Sequence, residues 1–403
     1  MSEPKLRFKE DDGSDFPEWK EKRLSEVVDF LDNMRKPIEA SERKPGPYAY
    51  YGASGIVDYV DDYIFDEELI LLSEDGANIV DRNYRVCFLA RGKYWVNNHA
   101  HVMKAKKGNI NAFICEQLES FDYRKYNTGS AQPKLNREVC NGLKLQIPSL
   151  PEQRKITTFL STIDEIIATT EAEVSAWEER KKGVMQKLFS QEVRFKTDDG
   201  SDFPKWEECS FVDAFENLNN NTYSRDCLNY EFGLAKNIHY GDILVKFHSY
   251  VDVRDDEVPF INKDLDYKKY TSLKDGDIVI ADTAEDETVG KAVEIENSDN
   301  LIVIAGLHTI ACRPKIKFAK RYLGYYMNSD VYHNQLRPYM QGIKVTSISK
   351  SNIGLTKIVV PSVFEQSKIA DCLSSFDDVI NQTKAELAAW QEFKKGLLQQ
   401  MFV

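Results

Sequence analysis

The chain has 403 residues, 42% of them hydrophobic and 29% charged, a composition typical of a soluble protein of two or three domains. No apolar run approaches the roughly 20 residues of a membrane span, and the N-terminal residues lack the apolar core of a signal peptide, so we expect a cytoplasmic protein without a membrane partner. The seven cysteines are scattered without a CxxC pair, which argues against a disulfide framework and against a zinc ribbon.

The net charge of −12 argues against nucleic acid as a partner when the chain is taken as a whole. The charge is unevenly distributed, however. Residues 91–107 contain five basic residues and no acid, and residues 313–357 contain nine basic residues and one acid, whereas residues 252–299 contain fifteen acids and six bases. Local basic faces could therefore bind DNA although the whole chain is acidic.

The first predicted element is a short segment that occurs twice. Residues 7–19, RFKEDDGSDFPEW, return as residues 194–206, RFKTDDGSDFPKW, with eleven of the thirteen positions identical. The second copy follows a predicted long helix, and the first copy stands where a second such helix would precede it if the chain were a circle. We therefore take residues 1–19 and 194–206 as equivalent segments and expect the two chain termini to meet in space. A duplicated linker without spatial meaning is the alternative.

Two variable segments, residues 20–147 and 207–360, follow the two copies. Both contain short β-rich runs separated by Gly, Asp and Asn turns, together with helical stretches, which predicts an α+β fold for each. Their closing pieces align without a gap, so that Gly129 falls on Gly342. His101 can be placed on His308, but only at a different offset. We expect one fold that carries different surface residues.

A long helix is predicted after each variable segment, in residues 148–193 and 361–403. Half of the 42 positions from Pro148 and Pro361 onward are identical, and apolar residues recur every 3.5 residues, which is the seam of a coiled coil. We expect the two helices to pack antiparallel as a spacer. Ser149 with Glu152, and likewise Ser362 with Glu365, fit a capping box.

Four polar residues occupy positions of the predicted seam, where they would lower stability but fix the register of the helices. They are Thr170, Lys181, Thr383 and Lys394. Gly183 and Gly396 interrupt the helical pattern at equivalent positions. Close approach of another backbone would explain both glycines, and a local break in each helix is the alternative.

Over essentially its whole length, the sequence resembles the specificity (S) subunit of type I restriction-modification enzymes. The resemblance rests on the circular repeat, the helix starts PEQRKI and FEQSKI, and segment motifs taken in order. In the first half these are YYGASGIVDYV, SEDGAN, NNHAHV and NTGSAQPKLN, and in the second half GDIVIADT, AGLHTI and QGIKVTSISK. The fold implied is two globular α+β target recognition domains separated by two long antiparallel coiled-coil helices in a pseudo-twofold circular repeat.

The resemblance implies that each variable segment reads one half of a bipartite site on double-stranded DNA. It implies that the helices set the spacing and dock two methyltransferase (M) subunits carrying S-adenosylmethionine, and that restriction (R) subunits using ATP and Mg join the complex. The chain itself would carry no cofactor and no catalysis. No GxxxxGK[ST] phosphate loop and no [DNS]PP[FYW] methyltransferase motif occurs in the sequence. The alternatives are a recognition subunit of another methyltransferase system and a coiled-coil scaffold without a DNA role.

Candidate DNA-binding residues lie in polar segments of both halves. Amides and imidazoles in NNHAH could pair with base edges, although a turn capped by these side chains and a His-x-His metal site are alternatives. The small polar loop from Thr128 to Lys134 and its counterpart could approach phosphates, although a loop shared for structural reasons is the alternative. Any lysine could instead be a solvated surface residue. The candidates are Asn97, Asn98, His99, His101, Lys104, Lys106, Thr128, Gly129, Ser130, Gln132, Lys134, His308, Gln341, Gly342, Lys344, Thr346 and Lys350.

Overall fold

The chain divides into two compact units in a computed structural model that describes residues 4–129, 132–342 and 344–402. The first unit comprises Met1–Ala172 and Lys384–Val403, and the second comprises Glu173–Thr383. Each unit therefore contains one variable segment, one copy of the repeated segment and a part of each long helix. No helix within the described part of the chain is long and apolar enough to cross a membrane.

The first unit contains two four-stranded sheets and one two-stranded ribbon. Its strands are β1 (Lys20–Arg23), β2 (Val28–Phe30), β3 (Pro45–Gly52), β4 (Gly55–Val60), β5 (Phe65–Asp66), β6 (Leu69–Ser73), β7 (Cys87–Ala90), β8 (Lys93–Val96), β9 (Ala100–Ala105) and β10 (Lys144–Ile147). Its helices are α1 (Leu24–Val27), α2 (Asn78–Asp81), α3 (Asn111–Glu119), α4 (Arg137–Gly142) and the start of α5 (Leu150–Phe189). The sheets have the orders β2-β9-β6-β7 and β4-β3-β8-β5, and β1 pairs with β10.

The second unit repeats this architecture with additional strands. The strands are β11 (Glu207–Ser210), β12 (Phe215–Asn217), β13 (Leu228–Asn229), β14 (Ala235–Ile238), β15 (Tyr250–Asp252), β16 (Phe260–Ile261), β17 (Ile278–Ala281), β18 (Thr283–Ala284), β19 (Ala292–Glu296), β20 (Ile302–Ala305), β21 (Thr309–Pro314), β22 (Thr346–Ser347) and β23 (Lys357–Val360). The helices are α6 (Phe211–Ala214), α7 (Tyr240–Val245), α8 (Tyr322–Met327), α9 (Asp330–Leu336), α10 (Lys350–Ile353) and the start of α11 (Val363–Met401).

Corresponding strands of the two units pair in the same order. The main sheet of the second unit is β12-β21-β17-β19-β15, so that its first four strands match β2-β9-β6-β7, and β11 pairs with β23 as β1 does with β10. In the smaller sheets β3 and β8 run parallel, as do β14 and β20. The central strands β6 (LILLS) and β17 (IVIA) are continuous buried apolar runs, as expected for strands covered on both faces. The two variable segments therefore share one α+β fold.

The strand register corrects one sequence alignment. Val28 pairs with Ala105 in the first unit, and its equivalent Phe215 pairs with Pro314 in the second. On this register His308 corresponds to His99, and the position of His101 is taken by Ile310. The placement of His101 on His308 was therefore wrong by two residues, because strand pairing sets which residues correspond and the sequence placement does not contain that pairing.

Within the first unit α5 and α11 are antiparallel neighbours. Lys394 Nζ lies 2.5 Å from Asp164 Oδ1, and Gln391 Nε2 donates to Glu171 Oε1 at 3.2 Å, so residue numbers fall along one helix as they rise along the other. Lys394 is one of the polar seam residues. Its ion pair across the two helices fixes their register, as the heptad pattern predicts.

The second unit repeats this pairing at equivalent positions. Lys181 Nζ lies 2.5 Å from Asp377 Oδ1, and the rings of Trp177 and Phe376 pack edge to face at 6.0 Å. The apolar residues near each helix start differ from the rest of the seam, because they lie in the main hydrophobic core of their unit. They are Ile156, Leu160 and Ile163 in the first unit and Ile369 and Leu373 in the second.

The glutamates of the predicted capping boxes have another role. The amide of Glu152 does bond Ser149 Oγ, at 3.5 Å, but the Glu152 carboxylate accepts from Arg7 Nε and Nη2 at 3.1 and 2.9 Å. Glu365 likewise accepts from Arg194 at 3.0 and 2.7 Å. Both glutamates are fully buried. The capping-box interpretation was therefore half wrong, because the carboxylate joins the helix start to the repeated segment.

The chain termini meet, as the circular order predicts. The amide of Leu6 donates to the carbonyl of Gln400 at 3.1 Å. The equivalent bond in the second unit runs from Val193 to Lys187 at 3.2 Å, where the chain is continuous. The same hydrogen bond thus closes the repeat once along the chain and once between its two ends.

Neither explanation given for the helix glycines holds. Gly183 and Gly396 lie inside continuous helices, and a Cβ built on either meets no described atom within 4 Å. The helices are therefore not broken at these positions, and no described backbone approaches them closely.

Candidate nucleic-acid interface

Three segments of the first unit meet at one end of its main sheet. They are the turn before β9 (residues 97–99), the loop after β6 (residues 74–76) and the described part of the loop 127–134, and together we call them the first edge. The amide of Glu74 donates to the carbonyl of His99 at 2.9 Å, and the amide of Gly76 donates to that of Pro133 at 3.0 Å. Asp75 and Lys134 form an isolated β-bridge. Two of the polar segments singled out in the sequence therefore share one surface.

Exposed polar groups of the first edge are held in defined positions. The imidazole of His99 is half exposed, and its Nδ1 lies 2.9 Å from Asp75 Oδ2. Lys134 Nζ lies 3.3 Å from Glu74 Oε1. The candidates Asn98, Thr128 and Gln132 are also exposed, whereas Ser130 lies outside the described residues.

The loop of the first edge is closed by its own hydrogen bonds. Asn127 Oδ1 accepts from the amides of Gly129 and Lys134, both at 2.9 Å, and Thr128 Oγ1 donates to the carbonyl of Lys134 at 3.0 Å. A Cβ at Gly129 would lie 1.7 Å from the carbonyl oxygen of Gln132, so this conformation needs glycine. The loop thus presents its side chains from a preformed turn.

Two candidates of the first half are buried. Asn97 is 6% exposed, and its Oδ1 accepts from the amide of His99 at 2.8 Å. His101 is 1% exposed, with Nδ1 at 2.8 Å from Asp32 Oδ2 and Nε2 at 2.8 Å from the carbonyl oxygen of Leu135. Both side chains stabilise the turn and strand around them, which is the structural alternative for this motif. We leave them out of the proposed DNA contacts.

The charge of His101 follows from its neighbours. Each ring nitrogen faces an oxygen acceptor, so both donate, which is the bonding pattern of the imidazolium form. Burial lowers the pKa of His101, but the hydrogen bond to Asp32 and further contacts outweigh burial and raise that pKa to about 10. The same pair lowers the pKa of Asp32 although burial opposes this. A buried ion pair therefore lies beneath the first edge.

Two lysine candidates lie away from the first edge. Lys104 stands near the far end of β9 and pairs with Glu67 at 2.5 Å. Lys106 donates to the carbonyl of Ser25 at 2.7 Å, beside α1. A strand rises about 3.3 Å per residue, so Lys104 lies roughly 13 Å along β9 from Ala100. Each of these two lysines thus binds a carboxylate or a carbonyl of its own unit, and we exclude both from the proposed DNA contacts.

The second unit builds an equivalent surface, the second edge, from the turn at His308, residues 282–284 and the described part of the loop 341–347. His308 has φ 54°, is half exposed, and has its Nδ1 3.4 Å from Thr283 Oγ1 and from Asp282 Oδ1. Thr283 pairs with Ser347 just as Asp75 pairs with Lys134. The backbone pairing is therefore the same in the first and the second edge, whereas the side chains at the paired positions differ.

The loop of the second edge also requires glycine. Gly342 has φ 123°, and a Cβ there would lie 1.9 Å from the carbonyl oxygen of Val345. The candidates Gln341 and Lys344 are exposed, and Thr346 lies in β22, where it pairs with Ala284. Lys350 lies outside the second edge, because its Nζ donates to the carbonyl oxygen of Leu218 at 3.5 Å, beside the end of β12.

Sequence reasoning missed the residues that hold each imidazole. Asp75 and Thr283 stand at equivalent positions beside His99 and His308. These two residues lie in the motifs SEDGAN and GDIVIADT, but nothing in a single sequence shows that either motif lies beside a histidine turn more than twenty residues away.

Comparison with known proteins identifies the family. The sequence profile described as "Type I restriction modification DNA specificity domain" matches residues 17–176 and 213–389. The chain belongs to the family of type I restriction-modification specificity subunits. Specificity subunits are a non-catalytic family, and this chain has two recognition domains.

Relatives by sequence agree with the family, and a solved structure shows the same fold. The type I restriction enzyme MjaVIII specificity subunit of Methanocaldococcus jannaschii is 24% identical over 97% of this chain and 94% of its own length. A relative from Haemophilus influenzae, named as a type I specificity subunit, is 35% identical over 36% of this chain, and the match spans 37% of that relative. The crystal structure of an S subunit from M. genitalium has the same fold, with a TM-score of 0.59, 14% identity, and 100% and 99% of the two chains covered.

Proposed function

We propose that each recognition domain reads one half of a bipartite site on duplex DNA, the first domain with the first edge and the second domain with the second edge. One observation carries the proposal: the same backbone arrangement, closed by the same glycine loop, presents different side chains in the two units. A shared scaffold with different exposed groups suits two readers of unlike sequences.

The exposed groups match the chemistry of base edges and phosphates. Asn98 and Gln132 carry amides of the kind that pair with adenine, and the imidazoles of His99 and His308 can donate to or accept from base edges. Lys134 and Lys344 can approach phosphates, which would position the domain without reading sequence. Thr128, Gly129, Gln341, Gly342 and Thr346 would place backbone and hydroxyl groups close to the duplex.

The partners and cofactors form a further part of the proposal. In the complex, α5 and α11 would set the spacing of the half-sites and dock two M subunits that carry S-adenosylmethionine. R subunits that use ATP and Mg would join the same assembly in the cytoplasm. Membership of the family supports these assignments. This chain would supply recognition, and its partners would methylate adenine and cleave DNA.

The test is to co-express the chain with its M subunit and to sequence methylated adenines across a genome. We expect one bipartite motif with a fixed gap. His99→Ala should relax base preference at one half only, and His308→Ala at the other half only, by about tenfold or more at the affected position. Lys144→Ala and Lys357→Ala are matched controls, because these equivalent lysines are exposed, pair with Glu21 and Glu208 in the two-stranded ribbons, and do not belong to the segments of either edge.

Two results would contradict the proposal. A continuous motif, or no motif, would show that the two domains do not read separate halves. Relaxation of both halves by either histidine substitution would show that the edges do not act separately.

A further inference from the structure

A cluster of buried charged side chains lies directly beneath the first edge. Arg35 Nη1 donates to Glu74 Oε2 at 2.6 Å, and Arg35 Nε lies 3.6 Å from Asp32 Oδ1. Asp32 in turn holds the buried imidazole described above. No member is more than 15% exposed. We call Asp32, Arg35, Glu74 and His101 the ionic cluster.

The ionic cluster binds the backbone of both the turn and the loop of the first edge. On one side, Arg35 Nη1 donates to the carbonyl oxygens of Asn98 and Ala100, at 3.4 and 2.8 Å, on either side of His99. On the other side, His101 Nε2 donates to the carbonyl of Leu135, the residue that follows the loop. Charge-assisted hydrogen bonds of this kind are shorter and stronger than neutral ones. The turn and the loop are therefore fixed relative to each other by one buried network.

The second recognition domain has other residue types at these positions. In the shared register, Ile310 replaces His101 and Asn219 replaces Asp32. Asn220 replaces Arg35, because the amides of the next residues, Lys36 and Asn221, donate to the equivalent carbonyls of Val96 and Ala305. Asn219 bonds a different segment, because its side chain donates to the carbonyl of Lys269 at 3.0 Å and accepts from the amide of Thr271 at 2.7 Å.

Two backbone bonds at this place are common to both units. The amide of Glu74 donates to the carbonyl of His99 at 2.9 Å, as that of Asp282 does to His308 at 3.1 Å. The amide of Leu135 donates to the carbonyl of Glu74 at 2.7 Å, as that of Ile348 does to Asp282 at 2.9 Å. Among the described residues, the ionic cluster is an addition that the first domain alone carries.

We propose that the ionic cluster sets the geometry of the first edge, so that Asp32, Arg35 and His101 are positioning residues for one half-site and have no counterpart for the other. The inference rests on the proposed function, because it presumes that the first edge reads DNA. A recognition group must be held to within about half an ångström by the residues behind it, which a buried charged network can do better than backbone bonds alone.

The experiment uses the full chain co-expressed with its M subunit and reads base preference at each half of the methylated motif. The double variant Asp32→Asn/His101→Ile copies residue types that the second domain carries in the same fold. We expect the half read by the first domain to lose about tenfold of its discrimination at one or more positions, while the other half keeps its preference. Arg35→Lys, which keeps the charge but loses the fork of donors, should relax the same half to a smaller extent. Lys144→Ala serves as the control.

Each outcome decides a different question. A wild-type motif that is not bipartite overturns the proposed function and this inference together. If the wild-type motif is bipartite and both variants keep the first half as sharp as before, only the inference is overturned. Equal loss at both halves also overturns it, because a merely structural defect would weaken the whole complex. If the double variant does not fold, Arg35→Lys decides alone.

Discussion

At the scale of single residues, the most informative contacts join the repeated segment to the helix starts. Glu152 and Glu365 are fully buried, and each binds one arginine through two hydrogen bonds. The neighbouring residue Gln153 is also fully buried and accepts from the amide of Ile110 at 3.0 Å, as Gln366 does from Ala319 at 2.8 Å. The Glu-Gln pair therefore occurs in both copies because it fixes a helix to two other segments of its unit.

Removal of the arginine should be costly. Arg7→Met leaves the Glu152 carboxylate buried without its cation, which typically destabilises a protein by about 3–5 kcal/mol. Arg194→Met should have a similar effect in the second unit. Hydrogen exchange can follow each unit separately, and the loss of protection should be confined to the unit that carries the substitution. Lys9→Ala removes only an exposed pair with Asp15 and should change protection little.

A pH dependence follows from His101. Burial lowers the pKa of His101, but the hydrogen bond to Asp32 and further contacts together outweigh burial and raise that pKa in the folded chain to about 10. A histidine with a raised folded pKa stabilises the fold fully below its unfolded pKa of about 6.5, and this contribution is lost progressively as the pH rises to about 10. His101→Gln should therefore destabilise the chain most at pH 6 and progressively less toward pH 10. The test is to measure the free energy of unfolding of the wild-type chain and of His101→Gln across this pH range. A difference between the two that stays constant with pH would contradict the prediction.

At the scale of elements, the two long helices carry equivalent ion pairs in unlike surroundings. The Asp377 side chain is 5% exposed and also accepts from Tyr325 Oη at 2.5 Å, whereas the Asp164 side chain is 49% exposed. Solvent screens the second pair but not the first. The two pairs therefore share a role in register but should differ in what they contribute to stability.

This difference can be measured by matched substitutions. Asp377→Asn should destabilise its unit by about 3 kcal/mol, because it leaves the largely buried Lys181 without its carboxylate. Asp164→Asn should cost no more than about 1 kcal/mol, since that carboxylate is half exposed and Lys394 Nζ keeps a second carboxylate, Glu116 Oε2, at 3.8 Å. Denaturant unfolding monitored by hydrogen exchange gives both values. Equal costs would mean that burial does not govern the strength of these pairs.

Substitution of the helix glycines, unlike the changes above, should increase the stability of the chain. Since a Cβ at Gly183 or Gly396 meets no described atom within 4 Å, alanine should fit both positions. Each Gly→Ala change should stabilise the chain by about 0.5–1 kcal/mol through better helix propensity. A rise in the melting temperature would confirm this. Destabilisation would instead show that a partner backbone needs the space.

At the scale of the whole molecule, the repeat is circular in space as well as in sequence. The bond from Leu6 to Gln400 reproduces the bond from Val193 to Lys187, so the first unit is completed by both ends of the chain. Each unit also takes its core from the start of one long helix and the end of the other. The modules are therefore defined by contacts and not by continuous stretches of chain.

The modular arrangement predicts how half-sites and spacing respond to changes. Addition of about four residues, one helical turn, within a long helix should alter the gap between the half-sites and leave both halves unchanged. Exchange of residues 20–147 for those of a relative should change one half-site alone. Sequencing of methylated sites tests both. A changed half-site after the insertion, or two changed halves after the exchange, would contradict the modular interpretation.

The sequence by itself determined the two-domain organisation, the long helices, the circular closure and the family. Repeats and a 3.5-residue apolar period are local patterns, so they can be read without knowing which segments touch. Only the tertiary structure decided that His99 and not His101 corresponds to His308, that Glu152 binds Arg7, and that lysines of the basic run are already paired. These facts depend on partners far along the chain: Asp32 lies 69 residues from His101, and Arg7 lies 145 residues from Glu152. A central strand buries whatever residue the register places in it, and the register is set by pairing between strands, which no local pattern records.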